Sequence, residues 1–395
     1  MEGPAPGGAM RDALVIGAGL AGAAAALRLR EAGRAVLLLA DGDGATGFST
    51  GAFEPDERVG VEALRWLAAA VPEAVALPPD GRSWRLATMA GRLVEAAAAP
   101  AASLDLDRPP FRRVGVVGAD VSGAPSVAGL AALLEEAAGG VPRFVPLAVP
   151  LAPSDVLALH SPGTLRGRFA AGAGPAEEAA VTRAAREAGV DAVLLPSYVP
   201  AGFAVRMAEA AGMPAGRLLG TYGTASAGSE LAAALRVALA RAGVARVAAR
   251  VRALERCGDR WVARGDGGVE LGGARAAIVA TGGAAGGGIR REGRLLAEPD
   301  VGPLVWGPEP LHQRAAPHGP APDAFLPRRL WGETTDRSVG VAVDDDLRPA
   351  ERPPGLFLAG ALAVPPEGRS AGLGWALASG LRAAALVEKM LATGP

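Results

Sequence analysis

The sequence predicts an α/β fold: a Rossmann-like domain, with a parallel sheet and a β-meander, that is assembled from discontinuous segments and carries a second, inserted α/β domain. Three patterns support this prediction. An apolar strand at Ala13–Ile16 runs into a glycine-rich turn and a helical stretch. Short strand-like segments at 247–254, 261–264 and 269–271 indicate a meander, and an apolar strand that ends at Thr281 follows them. A last apolar strand turns at Gly360.

The two predicted domains interleave along the chain. The Rossmann-like domain comprises residues 10–58, 226–295 and 338–395. The inserted domain comprises residues 59–225 and 296–337, and we expect it to act as a cap that meets a substrate or a partner protein. Residues 1–9 are rich in Gly, Pro and Ala and are expected to form a disordered extension.

The composition excludes several classes of protein. The chain of 395 residues carries 40 Lys and Arg against 41 Asp and Glu, so it lacks the basic surplus of a nucleic-acid-binding protein. Cys257 is the only cysteine, which excludes an internal disulfide, a cysteine-ligated zinc and a resident iron–sulfur cluster, and no metal site is expected. Lys389 is the only lysine, which argues against Schiff-base chemistry and a phosphate-binding P-loop.

Neither a membrane-spanning helix nor a signal peptide is predicted. No apolar run reaches the roughly 18 uncharged residues that a spanning helix needs. The first ten residues lack a basic start and a separate apolar core. We therefore expect a cytoplasmic protein, with any attachment to the inner face of the cell membrane made through a partner.

The turn after the first strand, Gly17 to Gly22, has the spacing Gly-x-Gly-x-x-Gly. Between a strand and a helix, the first glycine permits the tight turn, Gly19 lets the backbone approach a diphosphate, and the last lets the helix pack closely on the sheet. The first N–H groups of the helix, including those of Leu20 and Ala21, then attract the phosphates. The pattern predicts a dinucleotide site, which suits FAD; FMN is the alternative.

An acidic residue about twenty positions after this motif binds the adenosine ribose in such sites. Asp41 lies near that point, although Ala40 occupies the end of the second strand. Asp41 is therefore either a ribose ligand or an ordinary residue of the turn that ends at Gly44.

Further glycine-rich turns are predicted to face the cofactor. They follow the later strands and precede the last helix, and their candidate residues are Thr281, Gly282, Gly283, Gly360, Ala361, Gly372 and Gly374. The turn before the last helix could direct N–H groups at the pyrimidine edge of a flavin, where negative charge develops on reduction. Each of these turns could instead serve packing alone.

These segments together resemble the second of the three subunits of anaerobic glycerol-3-phosphate dehydrogenase. The resemblance is carried by residues 13–22, by Gly47-Phe48-Ser49-Thr50-Gly51-Ala52, by residues 281–289, and by residues 339–349 with 356–360. These matches cover most of the chain in the family's order. Ser49, Thr50 and Gly51 are therefore added to the candidate cofactor-binding residues.

The resemblance implies a flavin-bearing subunit of a three-part enzyme. That enzyme oxidises glycerol 3-phosphate to dihydroxyacetone phosphate and passes the electrons towards membrane quinone. The implied partners are a catalytic flavoprotein subunit and a cysteine-rich iron–sulfur subunit, in agreement with the single cysteine here. The family is associated with FMN, whereas the diphosphate-binding motif favours non-covalent FAD.

A chain that oxidises a small-molecule substrate by itself needs a proton acceptor beside the flavin. His312 and His318, in a Pro-rich segment that also contains Arg329, are the candidate catalytic residues. Arginines there could bind a phosphate or a carboxylate, or the segment could be a solvated loop. Two other functions stay open: a self-contained FAD-dependent dehydrogenase or reductase of a small acid, similar to soluble fumarate reductases, and a degenerate flavoprotein fold that serves only in assembly.

Overall fold

The computed structural model describes residues 10–56, 58–108, 110–118, 126–149, 174–220, 227–283, 290–292, 295–297, 341–349, 354–365 and 372–393. The expected extension at residues 1–9 lies outside them. The chain divides into two compact units. The first comprises Met1–Thr46, Asp56–Ala63 and Ala232–Pro395, and the second comprises Gly47–Pro55 and Leu64–Leu231.

The elements are numbered in chain order within the described residues. The strands are β1 Arg11–Ile16, β2 Val36–Ala40, β3 Val75–Ala76, β4 Trp84–Ala87, β5 Leu93–Ala96, β6 Ala99–Pro100, β7 Arg113–Val117, β8 Arg143–Leu147, β9 Ala192–Leu195, β10 Ala215–Arg217, β11 Ala245–Ala248, β12 Ala253–Cys257, β13 Arg260–Arg264, β14 Glu270–Val279, β15 Arg290–Glu292, β16 Leu295–Ala297, β17 Val341–Ala342, β18 Leu356–Leu358 and β19 Ala363–Val364. The α-helices are α1 Leu20–Glu31, α2 Val61–Ala70, α3 Val127–Ala137, α4 Pro175–Ala188, α5 Ala201–Ala211, α6 Ala227–Arg241 and α7 Leu373–Thr393.

The main sheet of the first unit has the order β11-β2-β1-β14-β13-β12, with β18 paired to β14. Strands β11, β2, β1, β14 and β18 are parallel, and β12, β13 and β14 form an antiparallel meander. Strand β2 is buried throughout, as expected for a parallel strand that is covered on both faces. Because parallel strands end at the same edge, the turns after Ile16, Val279 and Leu358 lie near one another.

The meander differs in two ways from the sequence prediction. The strand expected at 247–254 is two strands, because β11 pairs with β2 at the parallel edge whereas β12 pairs with β13. The short strand expected at 269–271 is the beginning of β14, which continues into the parallel sheet. Gly272 does not interrupt it: a Cβ at this position would collide with Leu37, so the missing side chain makes room for that residue.

Helix α1 follows the first turn and is buried along most of its length. It packs on β2 and on α7. Small residues make the second contact possible, because a Cβ on Gly380 of α7 would collide with the carbonyl oxygen of Ala21. The amino end of α1 is therefore held tightly at the edge where the parallel strands end.

The second unit contains a parallel sheet with the order β10-β9-β7-β8 and two antiparallel pairs, β3 with β6 and β4 with β5. The carboxylate of Asp191 accepts hydrogen bonds from the backbone N–H groups of Arg112 and Arg113, which ties the start of β9 to the start of β7. This unit has the α/β class that the sequence predicts. Across the described ranges, no helix combines the length and the apolarity needed to cross a bilayer.

Candidate cofactor site

Two glycines shape the turn between β1 and α1. Gly17 has a φ of +105°, and a Cβ at this position would collide with the carbonyl group of Ala280 at the end of β14. A Cβ on Gly22 would collide with the carbonyl oxygen of Gly17. The protein's own backbone therefore excludes a side chain at both positions.

Gly19 is different, because the protein leaves room around it. Its backbone is extended, with a φ of −65° and a ψ of 177° that any residue adopts. An added Cβ would lie 3.5 Å from Oγ1 of Thr46, which is an ordinary van der Waals contact. The fold alone does not require glycine here, so the bare backbone is available to a ligand.

The amino terminus of α1 provides hydrogen-bond donors for such a ligand. The first N–H groups of any helix lack partners within the helix, and α1 has neither a side-chain cap from Gly19 nor an acidic residue in its first turn. The N–H of Leu20 donates to Oγ1 of Thr46 at 2.8 Å. The N–H groups of Ala21 and Gly22 follow in the same turn. The predicted donor Leu20 is thus already bonded within the protein. The positive end of the helix dipole and the N–H groups of Ala21 and Gly22 suit a diphosphate.

Thr46 is a site residue that the sequence did not reveal. It lies in a 3₁₀ turn, Gly44–Phe48, after β2, and it is only 5% exposed. A threonine in a turn has no spacing pattern that marks it. Its contact with α1 appears only when the chain is folded.

Thr281 lies directly after β14, beside the first turn. Its backbone nitrogen is 3.0 Å from the position that a Cβ of Gly17 would take. Its Oγ1 is buried and has no hydrogen-bond partner in the part of the chain that the structure describes. An unpaired buried hydroxyl costs about 1–3 kcal/mol. A bound ligand with a polar atom at this edge would remove that cost.

The other predicted turns join this edge. Gly282 has a φ of +89°, and a Cβ on Gly283 would lie 3.2 Å from the Cβ of Ala361. Gly360 has a φ of +72°, and its Cβ position lies 3.1 Å from the Cβ of Ala21 in α1. The structure therefore brings together the turns after β1, β14 and β18.

Helix α7 fixes the turn at Gly360. Oγ of Ser379 accepts a hydrogen bond from the N–H of Gly360 at 2.9 Å, and Nε1 of Trp375 donates to its carbonyl oxygen at 3.0 Å. The same Nε1 lies 3.0 Å from the carbonyl oxygen of Ala363. Both side chains are buried, so these bonds are shielded from water.

The two predicted glycines at the start of α7 differ, because only Gly374 is tightly packed, whereas Gly372 has open space around its Cβ position. Gly372 has a φ of +103°, and a Cβ on Gly374 would lie 2.8 Å from Cγ2 of Val59. The guanidinium carbon of Arg58 lies 5.2 Å from the ring centroid of Trp375. The contact of Gly372 and Gly374 with the pyrimidine edge of a flavin stays a prediction.

Asp41 is exposed in the turn after β2, at the carboxyl end of the strand from which a ribose ligand acts. Its neighbour Asp43 is instead bound by the protein, through Arg236 at 3.1 Å and Arg246 at 3.5 Å. Both interpretations of Asp41, a ribose ligand or an ordinary residue of the turn, stay predictions.

Ser49, Thr50 and Gly51 lie in the second unit, where they form a tight turn. Oγ of Ser49 accepts from the N–H of Gly51 at 3.2 Å, and the carbonyl oxygen of Ser49 accepts from the N–H of Gly228 in α6 at 3.2 Å. Oγ1 of Thr50 accepts from the N–H of Ala52 at 3.3 Å. Their role towards a cofactor stays a prediction.

The catalytic candidates His312, His318 and Arg329 lie outside the described residues. Residues 284–289 and 339–340, which are part of the segments that carry the family resemblance, also lie outside the described residues. The described residues are those predicted to bind the cofactor. They combine a glycine-lined backbone, a helix amino terminus that suits a diphosphate and, within the described ranges, a buried hydroxyl without a partner.

Comparison with protein families agrees with this geometry. Residues 12–54, which include most of β1, the glycine-rich turn, α1, β2 and Thr46, match the FAD binding domain family. No curated protein sequence matches the chain.

The solved structures that align with this chain are distant from it in sequence and in structure. A thioredoxin reductase from Gloeobacter violaceus aligns over 97% of this chain and 95% of its own, at 11% identity and a TM-score of 0.34. BexE, described for oxidation during BE-7585A biosynthesis, aligns over 96% of this chain and 63% of its own, at 15% identity and a TM-score of 0.37. The peptidyl tryptophan dihydroxylase QhpG aligns over 72% of this chain and 34% of its own, at 16% identity and a TM-score of 0.26.

The matched part spans only 34 to 38% of the length of the first three solved structures. Their TM-scores lie below 0.5, so these likenesses carry no argument about activity. The family match and the geometry of the turns carry the assignment instead. The chain has a Rossmann-like FAD-binding fold, and its cofactor is FAD.

Proposed function

We propose that this chain is the flavin-bearing electron-transfer subunit of a quinone-linked glycerol-3-phosphate dehydrogenase, similar to the second subunit of the anaerobic enzyme. The observation that carries the flavin part of the proposal is the cradle formed by the turns after β1, β14 and β18. At its edge lies the hydroxyl of Thr281, which has no partner among the residues that the structure describes. The order of the sequence segments that resemble that subunit family supports the identity of the enzyme.

The residues of the cradle bind and orient the cofactor. The N–H groups at the start of α1 would hold the diphosphate, with Gly19 allowing close approach. The hydroxyl of Thr281 would bond a polar atom of the cofactor, and Ser379 and Trp375 keep the turn at Gly360 in place beside it. When bound, FAD accepts and releases electrons in steps of one or two.

The single cysteine supports a division of labour between subunits. A [4Fe–4S] cluster needs four cysteine ligands and a dithiol reductase needs two cysteines, whereas this chain has Cys257 alone. Oxidation of glycerol 3-phosphate to dihydroxyacetone phosphate releases two electrons and two protons, and reduction of a quinone to a quinol consumes the same number. A partner flavoprotein would therefore deliver the electrons, and a partner with iron–sulfur clusters would pass them to the quinone.

The test starts with the purified chain and its two candidate partners. We expect the chain to be yellow and to release a molecule with the mass of FAD. Glycerol 3-phosphate should bleach the flavin absorbance of this chain only when the partner flavoprotein is added. Bleaching of the single chain by glycerol 3-phosphate or by a small acid would favour a self-contained dehydrogenase, and a colourless chain that takes up no flavin would favour an assembly role.

A further inference from the structure

The turn after β2 lies across the amino end of α1. Gly44 has a φ of +62°, and its Cβ position is 3.4 Å from the Cα of Gly19. Two residues later, Oγ1 of Thr46 accepts the N–H of Leu20. Residues 43–46, which we call the β2 strap, therefore pack against one side of the turn that the diphosphate would approach.

One ion-pair cluster anchors the β2 strap. Oδ2 of Asp43 lies 3.1 Å from Nη1 of Arg236 in α6, and Oδ1 lies 3.5 Å from Nη2 of Arg246 in β11. Each carboxylate oxygen thus has its own arginine, and the two arginines come from different elements. Asp43 is 28% exposed, so both pairs are partly shielded from solvent.

Asp43, which anchors the strap, is close in the chain to Thr46, which bonds α1. Asp43 and Thr46 are separated by Gly44 and Ala45 only, and the carbonyl oxygen of Asp43 lies 3.9 Å from the Cβ position of Gly19. Loss of the Asp43 charge would remove the ion pairs that join the strap to α6 and β11. The hydrogen bond between Thr46 and Leu20 would remain.

We propose that Asp43 is a positioning residue for FAD: through Arg236 and Arg246 it holds the β2 strap over the phosphate-binding turn and thereby slows the dissociation of the cofactor. This inference rests on the flavin binding proposed above. Two partly shielded ion pairs are expected to change the dissociation rate of FAD about fivefold. The effect should fall with salt, since the Debye length shrinks to about 3 Å at about 1 M.

The experiment measures FAD release from the purified holoprotein by the recovery of flavin fluorescence after dilution. Asp43→Asn, which keeps the shape but removes the charge, should release FAD about fivefold faster than the wild type. Glu255→Gln is the matched control, because it removes one carboxylate from an ion pair of the meander, with Arg264, in the same unit. This variant should release FAD at the wild-type rate.

A double variant separates positioning from a general loss of stability. Arg236→Gln alone should speed release, but it should add less when Asp43 is already Asn, since the two residues act as a pair. The thermal midpoint of the flavin-free protein should be the same for Asp43→Asn and Glu255→Gln. Equal FAD release rates in the wild type and Asp43→Asn, or equal acceleration by Glu255→Gln, would overturn the inference while leaving flavin binding intact. A wild-type chain without FAD would overturn both.

Discussion

The side chain of Ser379 bonds the backbone N–H of Gly360, with Oγ as the acceptor at 2.9 Å, and thereby fixes the turn after β18 to the last helix. The same hydroxyl lies 2.6 Å from the carbonyl oxygen of Trp375, to which it donates its proton. One buried hydroxyl group thus satisfies a donor in one element and an acceptor in another. The last helix therefore holds this turn together with the turn's own hydrogen bond from the N–H of Ala363 to the carbonyl oxygen of Gly360.

Replacing Ser379 by alanine should destabilise the protein. The N–H of Gly360 would remain buried without a partner, which costs about 1–3 kcal/mol in the free energy of unfolding. Thr393→Ala is the control, since it removes a hydroxyl bonded to the backbone at the exposed end of the same helix. Urea denaturation measures both. Equal losses in the two variants would contradict a special role for Ser379.

Alanine substitutions should separate the roles of the glycines in the first turn. Gly22→Ala places a methyl group against the carbonyl oxygen of Gly17, so it should lower stability by about 1–3 kcal/mol or more. Gly19→Ala meets no such clash and should leave the stability of the flavin-free protein nearly unchanged. It should still weaken FAD binding about tenfold, because the diphosphate loses its close approach to the backbone.

Thermal denaturation and fluorescence titration with FAD check both glycine variants. If Gly19→Ala unfolds the protein as Gly22→Ala does, the space around Gly19 is not reserved for a ligand. If Gly19→Ala binds FAD as the wild type does, the diphosphate lies elsewhere.

Thr281→Val should weaken FAD binding without a loss of stability. The buried hydroxyl has no partner within the described residues, so the flavin-free protein should keep or gain stability when valine replaces it. The affinity for FAD should fall about threefold to tenfold, the loss of one hydrogen bond. Thr281→Ser keeps the hydroxyl and should bind FAD almost normally. An unchanged affinity in Thr281→Val would show that the hydroxyl does not meet the cofactor.

Asp12 makes stability depend on pH in the acid range. Burial alone would raise the pKa of Asp12, but the N–H of Ala35 and the guanidinium of Arg275 outweigh burial and hold its pKa below the ordinary value of 3.8. A carboxylate with a lowered pKa stabilises the fold above about pH 3.8, and this stability is lost as the pH falls through the folded-state value.

Asp12→Asn is therefore expected to be less stable than the wild type at neutral pH. Arg275 is 40% exposed, so solvent screening limits the difference to about 1 kcal/mol or less. The difference should shrink as the pH falls below about 3.8 and through the lowered pKa of Asp12 in the folded protein. Unfolding midpoints measured from pH 7 to pH 2 check this, and a gap that does not shrink below about pH 3.8 would contradict the assignment.

The first strand, turn and helix were predictable because their signals are local. An apolar run, three spaced glycines and a small-residue helix lie within residues 13–32 and need no distant partner to be recognised. The α/β class and FAD as cofactor followed from them, and both are confirmed. Substrate, partners and proton-transfer residues have no comparable local pattern.

The contacts that complete the site join residues far apart in sequence. Nothing near Thr46 indicates that it will bond Leu20, and nothing near Asp43 indicates Arg236 or Arg246. The division of 247–254 between β11 and β12 was missed for the same reason. An apolar pattern predicts a strand but does not indicate which strand it pairs with. The strand predicted at 269–271 was expected to stop before Gly272. This residue instead continues β14, and its missing side chain leaves room for Leu37.

Cys257 allows the protein to be labelled with a dye at one site without any substitution. Its exposed thiol closes β12 and lies beside the hairpin turn at Gly258. Since the sequence has no other sulfhydryl, a maleimide dye attaches at a single known point, on the unit that also contains the cradle. Energy transfer from that dye to an oxidised isoalloxazine would then report occupancy without any engineered substitution.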